Sequence, residues 1–151
     1  MTKERTFIII KPDGMEKRII GECLRRFEKA GLEIKDIKMH KIKLNEAKRF
    51  YIHVKKDYPN IYKPLLSFMT QRPIVMAILE GNNAIKKVRN ICGPTDPSKA
   101  SKGTIRSDFG TGSIAESYKK KKVVKNAIHA SSSLKDAKFE IGMFFKTRNN
   151  K

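Results

Sequence analysis

Several side chains in this sequence suit phosphate or nucleophilic chemistry. His129 stands in a short apolar run, Ala127-Ile128-His129-Ala130, followed by three serines. An imidazole is a competent nucleophile at neutral pH, because much of it is unprotonated and a ring nitrogen keeps an available lone pair. Lys11 falls at the end of another apolar run, and Arg89, Thr95 and Arg106 lie near or inside a long polar stretch, residues 93–122. Arginine supplies forked donors that hold phosphate oxygens in a defined orientation. Each residue also has a plainer reading, since strand histidines are commonly structural and arginines commonly solvated. His40 and His53 sit among lysines and read as surface residues. The sequence has no G-x-x-x-x-G-K-[S/T] loop, no zinc-type Cys/His cluster and no G-x-S-x-G elbow. Residue types and spacing alone reach a basic α/β domain with groups suited to phosphate, and leave the plainer readings open.

The elements that would carry these groups can be read from periodicity. Residues 6–10 are β-rich and stop at Lys11-Pro12-Asp13-Gly14, a turn signal. Ile20, Cys23, Leu24 and Phe27 recur at helical spacing, with Gly31 placed to close the helix. A strand region with Leu32, Ile34, Ile37, Met39, Ile42 and Leu44 follows; its phase shifts predict a long, bent or bulged strand. Asn45 is placed to cap a short helix through Tyr51, and residues 65–69 predict another. Residues 74–79 form a continuous apolar strand, residues 83–91 a helix, residues 127–130 the fourth strand and residues 134–141 a further helix, before an apolar run at 143–145. The order strand–helix–strand–strand–helix–strand predicts a ferredoxin-like sandwich, a four-stranded antiparallel sheet with covering helices. Apolar runs at 7–10 and 74–79 imply strands buried on both faces, so extra helices or another subunit must cover the second face.

At 151 residues the chain suits one domain, residues 1–151, and can bury a core without disulfide or metal staples. Its two cysteines, Cys23 and Cys92, form no framework; Cys23 falls on an apolar helical stripe and reads as core. The N-terminal apolar run is too short for a signal peptide or membrane helix, so the expected location is the cytoplasm, with no membrane partner. The net charge of +19, from 34 basic and 15 acidic residues, favours polyanionic partners. Most of that excess is lysine scattered along the chain, as a compositional bias would also produce.

Three motifs in order carry a resemblance. Lys11-Pro12-Asp13-Gly14, Gly103-Thr104-Ile105-Arg106-Ser107-Asp108-Phe109 and Asn126-Ala127-Ile128-His129-Ala130-Ser131 are similar to K-P-D-G, G-T-I-R-G-D-F and N-x-I-H-G/A-S of nucleoside diphosphate kinases. Arg72-Pro73, Glu80-Gly81, Gly93-Pro94-Thr95-Asp96-Pro97 and Glu140-Ile141-Gly142 also match, so the resemblance covers nearly the whole chain. It implies ping-pong transfer of a terminal phosphate from a nucleoside triphosphate to a diphosphate through phosphohistidine on His129. It implies that Lys11 contacts the transferred phosphate and the ribose. Arg89, Thr95 and Arg106 would hold the other phosphates, Asn126 the ribose, and Val123 one face of the base. Tyr51 would lie beside the histidine and Glu140 would orient it. Mg2+ would be the cofactor, held mainly by nucleotide phosphates with no side-chain ligand, and the assembly a homo-hexamer or tetramer.

The sequence departs from the family pattern in three places. The stacking Phe is replaced by Ile61, or by Tyr62 if the alignment slips, because residues 52–60 carry a small insertion. Ser132 stands where an acidic residue is usual. The gap between Arg106 and His129 is roughly ten residues longer than usual, an uncommonly long connection, in which residues 113–122 predict a short helix on the surface or at a subunit boundary. A rival from another class is a nucleic-acid-binding protein on the same fold; weak, non-specific nucleic-acid binding is expected from the charge in either case. A relative that has lost catalysis is a third reading, opposed by the filled catalytic positions.

Overall fold

The computed structural model describes residues 2–146. Strands β1 (Lys3–Ile10), β2 (Glu33–His40), β3 (Ile74–Asn82) and β4 (Ile128–Ala130) form one antiparallel sheet in the order β2-β3-β1-β4. That is the expected ferredoxin-like order, with β1 central. Residues 6–10 and 74–79 are buried throughout, as their unbroken apolar runs require.

The two crossover helices are α2 (Ile20–Lys29) and α6 (Ala84–Cys92). In α2 the stripe resolves to Cys23 and Phe27, one helical turn apart and both fully buried. Truncating a buried Phe such as Phe27 to Ala costs roughly 3–5 kcal/mol. Gly31 ends the helix in a left-handed conformation (φ 86°), while the N–H groups of Gly31 and Leu32 reach back to the carbonyls of Glu28 and Phe27. Helix α6 packs on β1 and β4 and touches α2.

The face of β1 that carries Phe7 is covered by the chain's own α3 (Leu44–Phe50) and α9 (Leu134–Phe144). Phe144 stacks on Phe7 with ring centroids 5.7 Å apart, and Phe50 lies 6.4 Å away. Apolar side chains remain open on edge strand β2, where Ile37 is 44% and Met39 63% exposed.

Several local expectations are corrected. Lys11–Gly14 is not a simple turn: Pro12 opens a short helix, α1 (Pro12–Glu16), since proline at the first helical position forfeits no hydrogen bond. Strand β2 does carry a register shift between Ile34 and Asp36, but it ends at His40, so Ile42 and Leu44 lie beyond it. Helix α3 starts one residue before Asn45, and the Glu46 carboxylate accepts the Lys43 N–H at its start. His40 is not a free surface group, because Glu46 pairs with it at 3.0 Å and the Phe144 ring lies edge-on beside it. Residues 52–60 are mostly helical, as α4 (Ile52–Asp57) and the start of α5 (Pro59–Thr70). The polar stretch holds a 3-10 turn (Pro97–Lys99), α7 (Ile105–Phe109) and α8 (Ile114–Lys119). Helix α8 fulfils the helix expected in the long connection, with the Ser113 hydroxyl accepting the Glu116 N–H at its start.

Candidate active site

Strand β4 is three residues long, and the segment before it fixes where His129 stands. Ala127 has a left-handed backbone (φ 71°), a strained conformation for a residue with a Cβ. Its N–H donates to the Asp13 carboxylate at 2.8 Å, and its carbonyl accepts the Lys11 N–H at 2.9 Å. Gly14 lets α1 approach this closely: a Cβ there would stand 2.6 Å from the Ala127 oxygen. The first and last sequence motifs therefore form one knot, and β4 leaves it paired to β1 with His129 opposite Ile9.

The His129 ring is packed edge-on against Phe50, with centroids 5.2 Å apart, and lies 6.2 Å from Phe7. Its Nε2 meets the Glu140 carboxylate at 2.5 Å, and the other Glu140 oxygen accepts a hydrogen bond from Ser131 at 2.7 Å. Glu140 is buried on α9, so the ring is clamped by aromatic neighbours and by a fixed carboxylate at one nitrogen. Such a partner selects the tautomer with the proton on Nε2 and leaves the Nδ1 lone pair free. Tyr51, at the junction of α3 and α4, lines the same cleft; burial, reinforced by the Glu140 charge, pushes its phenol above the ordinary range.

The cationic floor lies beside this clamp. Lys11 is buried, donates to the Asn126 side-chain oxygen at 2.9 Å, and has its pKa lowered to about 8. Burial is the main cause; Asp13 opposes it and Arg106 adds to it. Asn126 in turn donates to the Thr95 carbonyl at 2.9 Å. The buried Arg106 guanidinium is held by the carbonyls of Gly93 and Ile128, each at 2.8 Å, and its Nε has no partner among the described residues. Burial first, then Arg89, hold its pKa below the ordinary value. Arg89 on α6 and Thr95 in the following loop stand exposed on the wall above.

All of these groups border one cleft of about 760 Å³, within the usual range for small-molecule sites. It gathers Lys11, Tyr51, Ile61, Arg89, Thr95, Arg106, Val123, Asn126, His129 and Glu140, the expected site residues, with Ile61 and not Tyr62 of the two alternatives for the base. Ile61 faces the cleft, while Tyr62 is turned into the core. Sequence reasoning missed Phe50, Tyr58 and the cleft-facing Ile114, Ser117, Tyr118 and Lys122. The helical spacing of Ile114 and Tyr118 was the available signal, but spacing says nothing of which way a surface helix faces. Ser132 also borders the cleft and is hydrogen-bonded to Asp136, so a carboxylate stands near the position where the family pattern has an acidic residue. No group of three or more His, Cys, Asp or Glu capable of holding a metal occurs among the described residues.

A positive, buried floor around a clamped imidazole can bind a polyphosphate and accept a phosphoryl group. Comparison with known proteins agrees. The family model for nucleoside diphosphate kinase matches residues 4–150. A nucleoside diphosphate kinase of Kosmotoga olearia is 43% identical over 145 residues, covering 95% of this chain and 90% of that protein. Nucleoside diphosphate kinase 1 of Protochlamydia amoebophila is 45% identical over 146 residues, covering 97% and 95%. Among solved structures, the nucleoside-diphosphate kinase of Borrelia burgdorferi, a transition state mimic with bound vanadate and ADP, superposes with a TM-score of 0.90 at 35% identity, covering 95% of this chain and 88% of that one. The Aquifex aeolicus enzyme gives a TM-score of 0.81 at 41% identity, covering 95% and 96%. The chain belongs to the nucleoside diphosphate kinase family, whose members move phosphate between nucleotides.

Proposed function

We propose that His129 Nδ1 is the nucleophile of a ping-pong nucleoside diphosphate kinase reaction. The observation that carries this reading is the Glu140 carboxylate on Nε2 at 2.5 Å, because it leaves the other ring nitrogen to react beside Lys11 and Arg106. Nδ1 attacks the terminal phosphorus of a nucleoside triphosphate as the bond to the bridging oxygen breaks, and the diphosphate leaves. Nε2–H stays on the ring, and Glu140 offsets the positive charge that phosphorylation places there. A second nucleoside diphosphate then attacks the phosphohistidine with its terminal oxygen and departs as triphosphate.

The remaining roles follow from chemistry and placement. Lys11 neutralises charge on the moving phosphate and reaches the ribose, and Arg106, Arg89 and Thr95 hold the other phosphates. A loose phosphoryl transition state needs fixed charge and in-line placement more than proton transfer, and these residues supply that. Asn126 binds the ribose, while Ile61 and Val123 border the base. The vanadate and ADP of the Borrelia burgdorferi structure support carrying such an arrangement to this chain. The charged side chains of the cleft are mostly cationic, and its two carboxylates are already engaged, Glu140 by His129 and Ser131 and Asp136 by Ser132, which fits a Mg2+ carried by the nucleotide's own phosphates. When bound, the ion offsets phosphate charge during transfer.

We read residues 1–151 as a single kinase domain working in the cytoplasm as a homo-oligomer. Among the described residues no helix is long and apolar enough to cross a membrane, and the exposed Ile37 and Met39 on β2 offer an apolar edge for assembly.

The test is transfer from labelled ATP. Wild-type protein should acquire acid-labile, base-stable phosphate on His129. His129→Ala should keep its fold and lose both label and exchange. Exchange at the wild-type rate in that variant would overturn the mechanism.

A further inference from the structure

Helix α8 lies in the extended connection after Arg106 and has a capped, closed construction. The connection is pinned at its base by a bridge between Thr111 and Lys125, whose N–H···O distance is 2.8 Å. The Ser113 hydroxyl caps the helix N-terminus, and Glu116 pairs with Lys120 one turn on. At the other end the N–H groups of Lys121 and Lys122 return to the carbonyls of Tyr118 and Ser117, with Lys121 in a left-handed conformation. A helix held at both ends can present side chains in fixed positions.

What it presents is apolar and open. Tyr118 is 52% and Ile114 42% exposed, yet both border the nucleotide cleft. The buried Lys11, Arg106 and Asn126 form the floor of that cleft, so the exposed α8 residues stand at its rim, with Ile61 and Val123. A nucleotide whose phosphates occupy the floor extends its base toward the rim. The residues of α5 that border the cleft, Ile61 and Leu65, are aliphatic and offer no ring to stack on.

We propose that Tyr118 is a base-binding residue: α8 brings its ring against the purine or pyrimidine of the bound nucleotide, supplying the stacking that Ile61 does not. The extended connection is thus part of the substrate site. Aromatic stacking tolerates any base and grows with ring area. Tyr118 therefore keeps broad nucleotide use while favouring purines. This rests on the kinase reading for the orientation of the nucleotide, with phosphates at the floor.

The experiment measures equilibrium binding of ADP and CDP, which needs no chemistry. In Tyr118→Ala the Kd for ADP should rise about 5–10-fold, and that for CDP by less, as loss of one stacked base implies. Tyr118→Phe should recover the affinity for ADP. The chain contains no tryptophan, so Tyr118→Trp makes a single reporter whose fluorescence ADP should quench. ADP held by Tyr118→Ala as tightly as by wild type would overturn the proposal. So would a Tyr118→Trp signal that ADP leaves unchanged, or a loss confined to Tyr58→Ala or Phe139→Ala, the two further exposed aromatics that border the cleft. Absence of phosphohistidine in the wild type would refute the kinase mechanism separately, since binding is read without it.

Discussion

At the scale of the residue, Lys11 shows how the site sets function against stability. Its ammonium is buried, and that burial lowers its pKa from 10.5 to about 8. The unfolded chain keeps the ordinary value. Between roughly pH 8 and 10.5 the unfolded state therefore binds more protons, and stability rises with pH across that window. Below pH 8 the charged form is present in both states and its desolvation cost is fully felt. A bound phosphate would bring negative charge to the ammonium and so raise the pKa again. Two measurements follow from this. kcat/KM, which reports the free enzyme, should fall as pH rises through about 8, while the limb in kcat should lie higher. Lys11→Met should raise the melting temperature at pH 7, by an amount that shrinks toward zero as pH approaches 10.5. A Lys11→Met protein less stable than wild type at pH 7 would mean that the hydrogen bond to Asn126 outweighs the buried charge.

At the scale of the element, the sequence and the structure agree on what periodicity encodes and part where geometry is non-local. Residues 6–10 and 74–79 were readable as doubly covered strands because unbroken apolar runs leave no polar face. The stripe of α2 and the order of the four strands were readable for the same kind of reason. The candidate catalytic groups come from motif order, while the contacts that explain those motifs join residues 11–14 to 126–127, more than a hundred positions apart. No local pattern could show that Asp13 serves the backbone of Ala127, or that Gly14 exists to let a carbonyl come close. Pro59 and Pro64 obscure the start and the interior of α5 in the sequence, although Pro59 sits at a permitted helix start. The knot has its own consequence. Gly14→Ala should shift the Ala127 carbonyl, move His129 off line and lower phosphoryl transfer by on the order of 10²-fold, as an error of about 1 Å in placement can. Gly21→Ala is the control: it lies within α2, a Cβ there meets nothing within 4 Å, and it should leave exchange intact with stability raised by about 0.5–1 kcal/mol. Equal exchange rates in the two variants would show that the close approach of α1 does not position the histidine.

At the scale of the whole molecule, the +19 charge and the cleft answer to salt differently. Most lysines lie on the surface, and a run of them at 119–122 begins in the last residue of α8. Such a surface attracts any polyanion, and its binding to nucleic acid is driven by released counterions, so affinity falls steeply and linearly on a log–log scale as salt increases. Lys11 and Arg106 belong to another regime. They are buried and fixed by hydrogen bonds to Asn126, Gly93 and Ile128, and in the proposed reaction they meet phosphate at close range, where screening by mobile ions is weak. Duplex DNA of unrelated sequences should therefore bind weakly and equally at low salt and be released by about 0.2 M, near the range where such contacts lose several orders of magnitude. Exchange between ATP and a nucleoside diphosphate should change far less over the same range. A parallel loss of both would place the nucleotide phosphates on the exposed lysines and not on the buried floor. DNA binding that persisted in high salt, or that chose among sequences, would instead require base contacts and a dedicated nucleic-acid surface on this chain.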